Sequence, residues 1–118
     1  MAVEIHKTEN PATLAVECLD VMTADDVRYI LERCLNAVRS RPQHFLIDCS
    51  RLSTVAPGAL HALASYADFL QHPNTRWLAF VTDNSLLKTS IQLLFDSSAL
   101  RIFEDRETAS SFLYGLIE

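Results

Sequence analysis

The chain has 118 residues, a net charge of −5 and an apolar fraction of 49%, with 21% of its residues charged. This length and composition predict one globular domain, residues 1–118, with a single core. No run approaches the ~20 apolar residues that span a bilayer, and the N-terminus lacks the basic-then-apolar pattern of a secretion signal. We therefore expect a cytoplasmic protein without stable membrane insertion. The absence of clustered cations disfavours nucleic-acid binding.

The cysteines and histidines indicate neither a disulfide framework nor a metal site. Cys18, Cys34 and Cys49 are odd in number and have no CxxC spacing, so we interpret them as reduced, buried apolar residues. A metal site needs ligands at spacings such as HxxxH, which the four histidines do not show: His6, His44, His61 and His72.

Two short β-type runs open the chain, at residues 4–8 and 12–18, and the turn signal Asn10-Pro11 separates them. They predict an N-terminal hairpin. Thr23 precedes a predicted helix at residues 24–41, and its hydroxyl can cap that helix. The apolar side chains of this helix recur at the spacing of one buried face: Val27, Ile30, Leu31, Cys34, Leu35 and Val38.

Strands then alternate with helices. Residues 44–49 form a nearly continuous apolar run, typical of a strand whose sheet is covered on both faces. Pro57 suits the first position of the second helix, because its missing N–H would be unpaired there anyway. The remaining strands are predicted at 76–82 and 100–104, and each is followed by a helix. Asp83, Asn84 and Ser85 are candidate caps of the first of these helices, and Asp105 can cap the second.

This order of elements predicts an α/β fold. It begins with a β-hairpin and forms one mixed, mostly parallel sheet of about five strands with about four helices.

Residues that would support an enzyme are missing. Glycine occurs only at positions 58 and 115, so neither a P-loop nor the dinucleotide motif GxGxxG is present, and no GxSxG elbow exists. Cys49 and His61 have no evident partner that would make a nucleophile or a base. Asp48 is predicted to end a strand. Its carboxylate is predicted to hold the following loop by accepting hydrogen bonds from the backbone N–H groups of that loop. We expect no enzymatic activity and no cofactor.

The chain resembles a STAS domain, the fold of bacterial anti-sigma factor antagonists and of the cytoplasmic tail of sulfate transporters. The resemblance covers nearly the whole chain. It lies in four segments: LAVECLD with TADDVRYILERCL, FLIDCSRLSTVAPGAL, WLAFVTDNSLL and ALRIFEDRETASSFL. It implies a STAS-like fold and a regulatory role through contacts with a protein partner, such as an anti-sigma factor.

The chain departs from the STAS pattern where family members carry their switch. In phosphorylated members, the loop before the second helix reads Asp-Ser-Ser/Thr-Gly-Leu, and a partner kinase modifies its hydroxyl. That segment falls on residues 56–60, Ala-Pro-Gly-Ala-Leu, which hold no hydroxyl. Ser53 and Thr54 lie nearby but do not match the motif. The resemblance is therefore to a divergent branch without a phospho-acceptor, which shares the α/β layout of lipid-carrier domains.

Three hypotheses follow. The first is a partner-binding module that presents an apolar face of the second helix (Ala59, Ala62, Tyr66) to a helical partner. Its predicted site is centred on a loop at residues 53–58 and on the helix that follows, and consists of Ser53, Thr54, Ala56, Pro57, Gly58, Ala59, His61 and Ala62. The second is a carrier of a small apolar ligand or lipid, in a pocket of Leu87, Ile91 and Leu94, a helix face predicted to include Leu86 and Ser90. The third is self-association through the second helix.

Overall fold

A computed structural model describes residues 3–9, 12–64, 70–94 and 99–115 of the chain. The strands are β1 (Val3–Glu9), β2 (Ala12–Met22), β3 (Gln43–Val55), β4 (Thr75–Val81) and β5 (Leu100–Phe103). The helices are α1 (Ala24–Ser40), α2 (Pro57–Leu63), α3 (Ser85–Leu94) and α4 (Arg106–Gly115). The predicted turn at Asn10-Pro11 and the predicted helix residue Tyr66 lie outside the described residues.

The strands pair in the order β1-β2-β3-β4-β5 within one sheet. β1 runs antiparallel to β2, whereas β2, β3, β4 and β5 pair in parallel. This arrangement confirms the predicted α/β class, with an N-terminal hairpin and one mixed, mostly parallel sheet.

Helices cover both faces of the sheet. Alternate residues of a strand point to opposite faces. Leu14 and Val16 of β2 belong to a large core that α1, α2 and α3 cover, whereas Ala15 belongs to a smaller core under α4. This burial on both faces explains the apolar run at residues 44–49.

Polar side chains cap three of the four helices described. Thr23 forms a capping box with Asp26, in which each side chain accepts a hydrogen bond from the other's backbone N–H. Asn84 accepts from the N–H of Leu87 at 3.0 Å, and Asp105 accepts from Thr108 at 2.7 Å. The predicted caps of α1, α3 and α4 are therefore confirmed.

Two strands are longer than the sequence predicts. β2 continues past Cys18 to Met22, and β3 continues past Cys49 to Val55. Beyond Asp48, β3 pairs with β2 alone, so the extension is a two-stranded ribbon with most of its β3 side chains exposed. Such a ribbon lacks the apolar pattern of a buried strand, which is why residues 50–55 resemble a loop in the sequence.

The ribbon is irregular at Asp20. Its φ of 58° lies in the left-handed region, which aspartate tolerates better than most residues. The pairing register with β3 shifts on either side of this stretch, between Glu17 and Leu19 and between Asp20 and Val21. These irregularities are β-bulges, which increase the local twist of a ribbon.

None of the described helices is long and apolar enough to cross a membrane.

The contrast between Ile91 and Leu93 on α3 provides a test of the packing. Ile91 is fully buried in the large core, whereas Leu93 is 80% exposed. Ile91→Ala should lower the free energy of unfolding by about 2–5 kcal/mol, because it leaves a cavity. Leu93→Ala should change it by less than about 0.5 kcal/mol. Urea denaturation followed by circular dichroism measures both, and similar losses would contradict this packing.

His44 should make stability depend on pH. Its Nδ1 accepts a hydrogen bond from the backbone N–H of Trp77, and burial together with the charge of Arg76 lowers the pKa of His44. In the unfolded chain, the imidazole of His44 takes up a proton near the usual pKa of about 6.5. In the folded chain, it takes up this proton only at a lower pH. The contribution of neutral His44 to the free energy of unfolding is therefore fully present above about pH 6.5. It is lost as the pH falls through the lower pKa of the folded state.

We expect His44→Gln to flatten the pH dependence of the urea midpoint between about pH 7.5 and about pH 5. An unchanged slope in this variant would show that His44 does not contribute. NMR titration of the His44 ring gives the direction of the pKa shift independently.

Candidate functional site

The candidate site begins where the ribbon ends and α2 starts. The N–H of Ala56 donates to the carbonyl of Met22 at 2.8 Å, which fastens this point to the end of β2. Ala56 has the extended backbone of an N-cap residue, with φ −65° and ψ 150°, but its methyl group cannot accept a hydrogen bond. Pro57 occupies the first turn of α2. The first turn of α2 therefore lacks a side-chain cap of its own.

Ser53 and Thr54 lie in β3 rather than in a loop, which corrects the prediction of a loop at 53–58. Their side chains are exposed, and the backbone of Thr54 pairs with Val21. Pro57, Gly58 and His61 are also exposed, on α2. The structure thus brings five of the predicted partner-binding residues to the surface around the start of this helix.

Two predicted contact residues are buried, so the prediction of an exposed apolar face at Ala59 and Ala62 is wrong. Ala59 is 0% exposed and Ala62 is 8% exposed. Both side chains pack in the large core, together with Val27 and Ile30 of α1. They serve packing, not partner contact.

The exposed apolar surface lies instead between α2 and α3. We call it the α2–α3 cleft, and its volume is about 120 Å³. Leu86 is 71% exposed at its rim, although the sequence predicted that it shares a face with Leu87 and Ile91. A helix turns by ~100° per residue, so Leu86 lies off the buried stripe of Leu87 and Ile91. The cleft is lined by Val55, Leu60, Asn84, Leu86 and Leu87.

A smaller polar cavity of about 60 Å³ adjoins the α2–α3 cleft and shares three of its lining residues with it. Ser53 and Thr54 line it together with Asp83. Neither the cleft nor the cavity has a lysine or arginine among its described lining residues. Asp83 is exposed, so the negative charge of this region faces solvent.

The predicted ligand pocket between α3 and the sheet is filled by the core, which corrects that hypothesis. Leu87 is 3% exposed and Ile91 is 0% exposed, and both pack in the large core. Leu94 ends α3, but its side chain lies outside the described part of the chain. The cleft and cavity that Leu87 lines measure about 120 and 60 Å³, well below the ~300–1,000 Å³ of small-molecule sites.

Asp48 anchors the point at which β3 separates from β4. Its Oδ1 accepts from both the N–H and the hydroxyl of Ser50, at 2.9 and 2.6 Å, which confirms the predicted bond to the following backbone. Its Oδ2 lies 3.4 Å from a guanidinium nitrogen of Arg106 on α4, which also lies 3.0 Å from Glu17. No local signal in the sequence pairs Arg106 with these carboxylates, because it is 58 residues from Asp48 and 89 residues from Glu17.

The one cysteine considered as a nucleophile is buried and protonated. A hydrogen bond with Cys18, burial and the charge of Asp48 raise the pKa of Cys49 well above its ordinary value. The reactive form of cysteine is the thiolate, which this environment suppresses. Within the described ranges, no three His, Cys, Asp or Glu residues form a group that could hold a metal ion.

The structure is a mixed α/β fold in which the exposed start of α2 lies beside an apolar cleft. The chain matches no family model, and no curated protein matches its sequence. Among solved structures it is similar to the anti-sigma factor antagonist SpoIIAA in its unphosphorylated form, with a TM-score of 0.70, 10% identity, and coverage of 94% of this chain and 96% of the other.

Two further structures are similar. The Bacillus cell fate determinant SpoIIAA in its phosphorylated form has a TM-score of 0.68 and 12% identity, with 94% of this chain and 99% of the other covered. An uncharacterised protein from Shewanella loihica with a SpoIIAA-like fold has a TM-score of 0.64 and 18% identity, with 95% and 92% covered. The chain therefore has the SpoIIAA-like STAS fold that its sequence predicts.

The uncapped start of α2 can be tested by adding a cap. Ala56→Asp places a carboxylate at a backbone position that already has N-cap geometry. We expect the free energy of unfolding to rise by about 1 kcal/mol at neutral pH. Ala64→Asp, at the other end of the same helix, is the matched control and should give no gain. Equal effects of the two variants on the urea midpoint would argue against an uncapped first turn.

Proposed function

We propose that the chain is a non-enzymatic regulatory module that binds a protein partner at the start of α2 and in the α2–α3 cleft. The observation that carries the proposal is the exposure of Leu86, which is 71% exposed beside Leu60 and Val55. Contiguous apolar patches that remain exposed mark interaction sites, and Leu86 is continuous with the apolar lining of the cleft. Pro57 and Gly58 extend this surface along the first turn of α2.

The chemistry of the cleft favours a helical partner segment with apolar and basic side chains. Apolar residues of such a helix fit the floor formed by Val55, Leu60 and Leu87. Asp83 lines the adjoining cavity, and the described lining of both contains no cation to oppose it. Lysine or arginine at the edge of the partner segment would therefore meet complementary charge.

We also propose that this contact is not switched by phosphorylation at the position that serves STAS domains. Residues 56–60 at the start of α2 carry no hydroxyl. Phosphate at such a position adds up to about two negative charges and can make or break an interface. The SpoIIAA structures include a phosphorylated and an unphosphorylated form. In this chain, control of the contact would have to act elsewhere, with Ser53 and Thr54 the nearest hydroxyls.

The decisive comparison uses two leucines of the same helix. Leu86 and Leu93 are both exposed, at 71% and 80%, but only Leu86 lines the α2–α3 cleft. The tagged full chain and its Leu86→Asp and Leu93→Asp variants are incubated with extract of the native host, and captured proteins are quantified by mass spectrometry. We expect Leu86→Asp to reduce recovery of the main partner at least about tenfold, because it places a charge in an apolar contact.

Leu93→Asp should keep recovery within about twofold, because a rim or remote charge contributes little. Equal recovery by both variants would overturn the proposed surface. Gly58→Asp tests the α2 side of the proposed surface independently. A Cβ at position 58 would make only an ordinary contact, at 3.5 Å, and an acidic side chain is tolerated in the first turn of a helix. Self-association, the other occupant considered, would appear as capture of the chain's own copy alone and as a dimer in light scattering.

A further inference from the structure

We propose that Cys18 and Cys49 form a peroxide-sensitive thiol pair, which hydrogen peroxide converts to a disulfide between β2 and β3 in the folded chain. The inference concerns a chemical modification of the chain, and it does not rest on the proposed partner contact. Three features of the fold support it: the pairing of the two strands, a hydrogen bond between the two sulfur atoms, and the cavity beside Cys49.

The pairing of β2 with β3 brings the two cysteines side by side. Glu17 is paired with Asp48, and Cys18 and Cys49 are the residues that follow them. The register shifts just beyond this pair, at a β-bulge between Glu17 and Leu19. Both cysteines pack in the large core, at 1% and 3% exposed, so their side chains point to the same face of the sheet. Neighbouring strands lie about 4.8 Å apart, and a disulfide joins Cα atoms that are ~4.4–6.8 Å apart.

A hydrogen bond already joins the two sulfur atoms. This bond and burial raise the pKa of Cys49, so Cys49 is the donor and the sulfur of Cys18 is the acceptor. Cys34 of α1 is the third thiol of the large core. Burial raises the pKa of Cys34, and Cys18 contributes to that shift only through its charge. The two thiols that are held in contact are therefore those of Cys18 and Cys49.

The small polar cavity beside the α2–α3 cleft provides space for an oxidant next to this pair. Cys49 lines the cavity together with polar residues that include Ser53, Thr54 and Asp83. The volume of about 60 Å³ corresponds to about two waters at ~30 Å³ each. Hydrogen peroxide has two oxygen atoms and forms the same hydrogen bonds as water. The cavity therefore suits a peroxide and is too small for a larger oxidant such as a disulfide-bonded peptide.

The oxidation has two steps, and each of them releases one water. The sulfur of Cys49 loses its proton and attacks one oxygen of hydrogen peroxide. The O–O bond breaks, Cys49 becomes a sulfenic acid, and the released hydroxide takes up the proton. The sulfur of Cys18 then attacks the sulfur of Cys49, the S–O bond breaks, and the leaving hydroxide takes up the proton of Cys18. Two electrons thus pass from the two thiols to the peroxide.

The first step is slow in the folded chain. The thiolate is the reactive form of cysteine, and the pKa of Cys49 is raised. The bridge therefore responds to sustained exposure to peroxide. It joins β2 to β3 beside the residue at which β3 leaves β4, and it closes a loop that contains the whole of α1. Such a bridge restricts the unfolded chain, so oxidation should raise the urea midpoint of unfolding.

Mass spectrometry of the folded full chain tests the bridge, after exposure to excess hydrogen peroxide and alkylation of the remaining thiols. We expect a species that has lost about 2 Da, the mass of two hydrogen atoms, and that carries one alkyl group, on Cys34. A thiol reductant should reverse the loss. Peptide mapping should join Cys18 to Cys49. Cys34→Ala, the matched change of a buried cysteine in the same core, should keep the rate of bridge formation within about twofold.

The same exposure of the chain unfolded in urea separates the effect of the fold from chance pairing. Shorter loops close more readily, so the unfolded chain should join Cys34 to either of the other cysteines more often than it joins Cys18 to Cys49. The folded chain without a bridge, a bridge to Cys34, or the same mixture of bridges in the folded and unfolded chains would overturn the proposal. Oxidation of the folded chain that stops at an unbridged sulfenic or sulfinic acid on Cys49 would overturn it too.

Discussion

The buried carboxylate of Asp48 is the constraint on which the arrangement of β3, α2 and α3 depends. It lies at the last residue that β3 pairs with β4, and its oxygens are occupied by Ser50 and by Arg106. A buried carboxylate without such partners would be strongly destabilising. These contacts lie at the point where β3 leaves β4 and continues with β2 alone. That departure carries the chain to Ala56 and sets the start of α2 beside the exposed flank of α3.

The two ends of the parallel sheet differ in chemistry as a consequence of this layout. At the end where the strands finish, an apolar cleft adjoins an exposed aspartate, Asp83, with no described cation in the lining of either recess. At the opposite end, lysine and arginine side chains surround a polar cavity. The buried Cys49 thiol has a raised pKa, and the cleft and cavity that Leu87 lines are smaller than most small-molecule sites.

The sequence predicted the features that depend on neighbours along the chain. The α1 periodicity, the cap at Thr23 and the hydrogen bond that Asp48 accepts from Ser50 all act over a few residues, so their signals are local. Arg106 could not be paired with Asp48 in the same way, because only the folded sheet brings them together. The ribbon was missed because its exposed residues lack strand periodicity. Leu86 was predicted on the buried face of α3. It is adjacent to Leu87, and two neighbouring leucines do not by themselves reveal which side chain the helix turns toward solvent.

We propose that a protein partner binds at the start of α2 and in the α2–α3 cleft. Hydrogen–deuterium exchange of the full chain, alone and with the partner it captures, tests this most directly because it maps the contact without any substitution. We expect slower exchange in the bound state within residues 53–60 and 84–93, with α4 unchanged. Protection confined to α4 or β5, with those two segments unaffected, would contradict it.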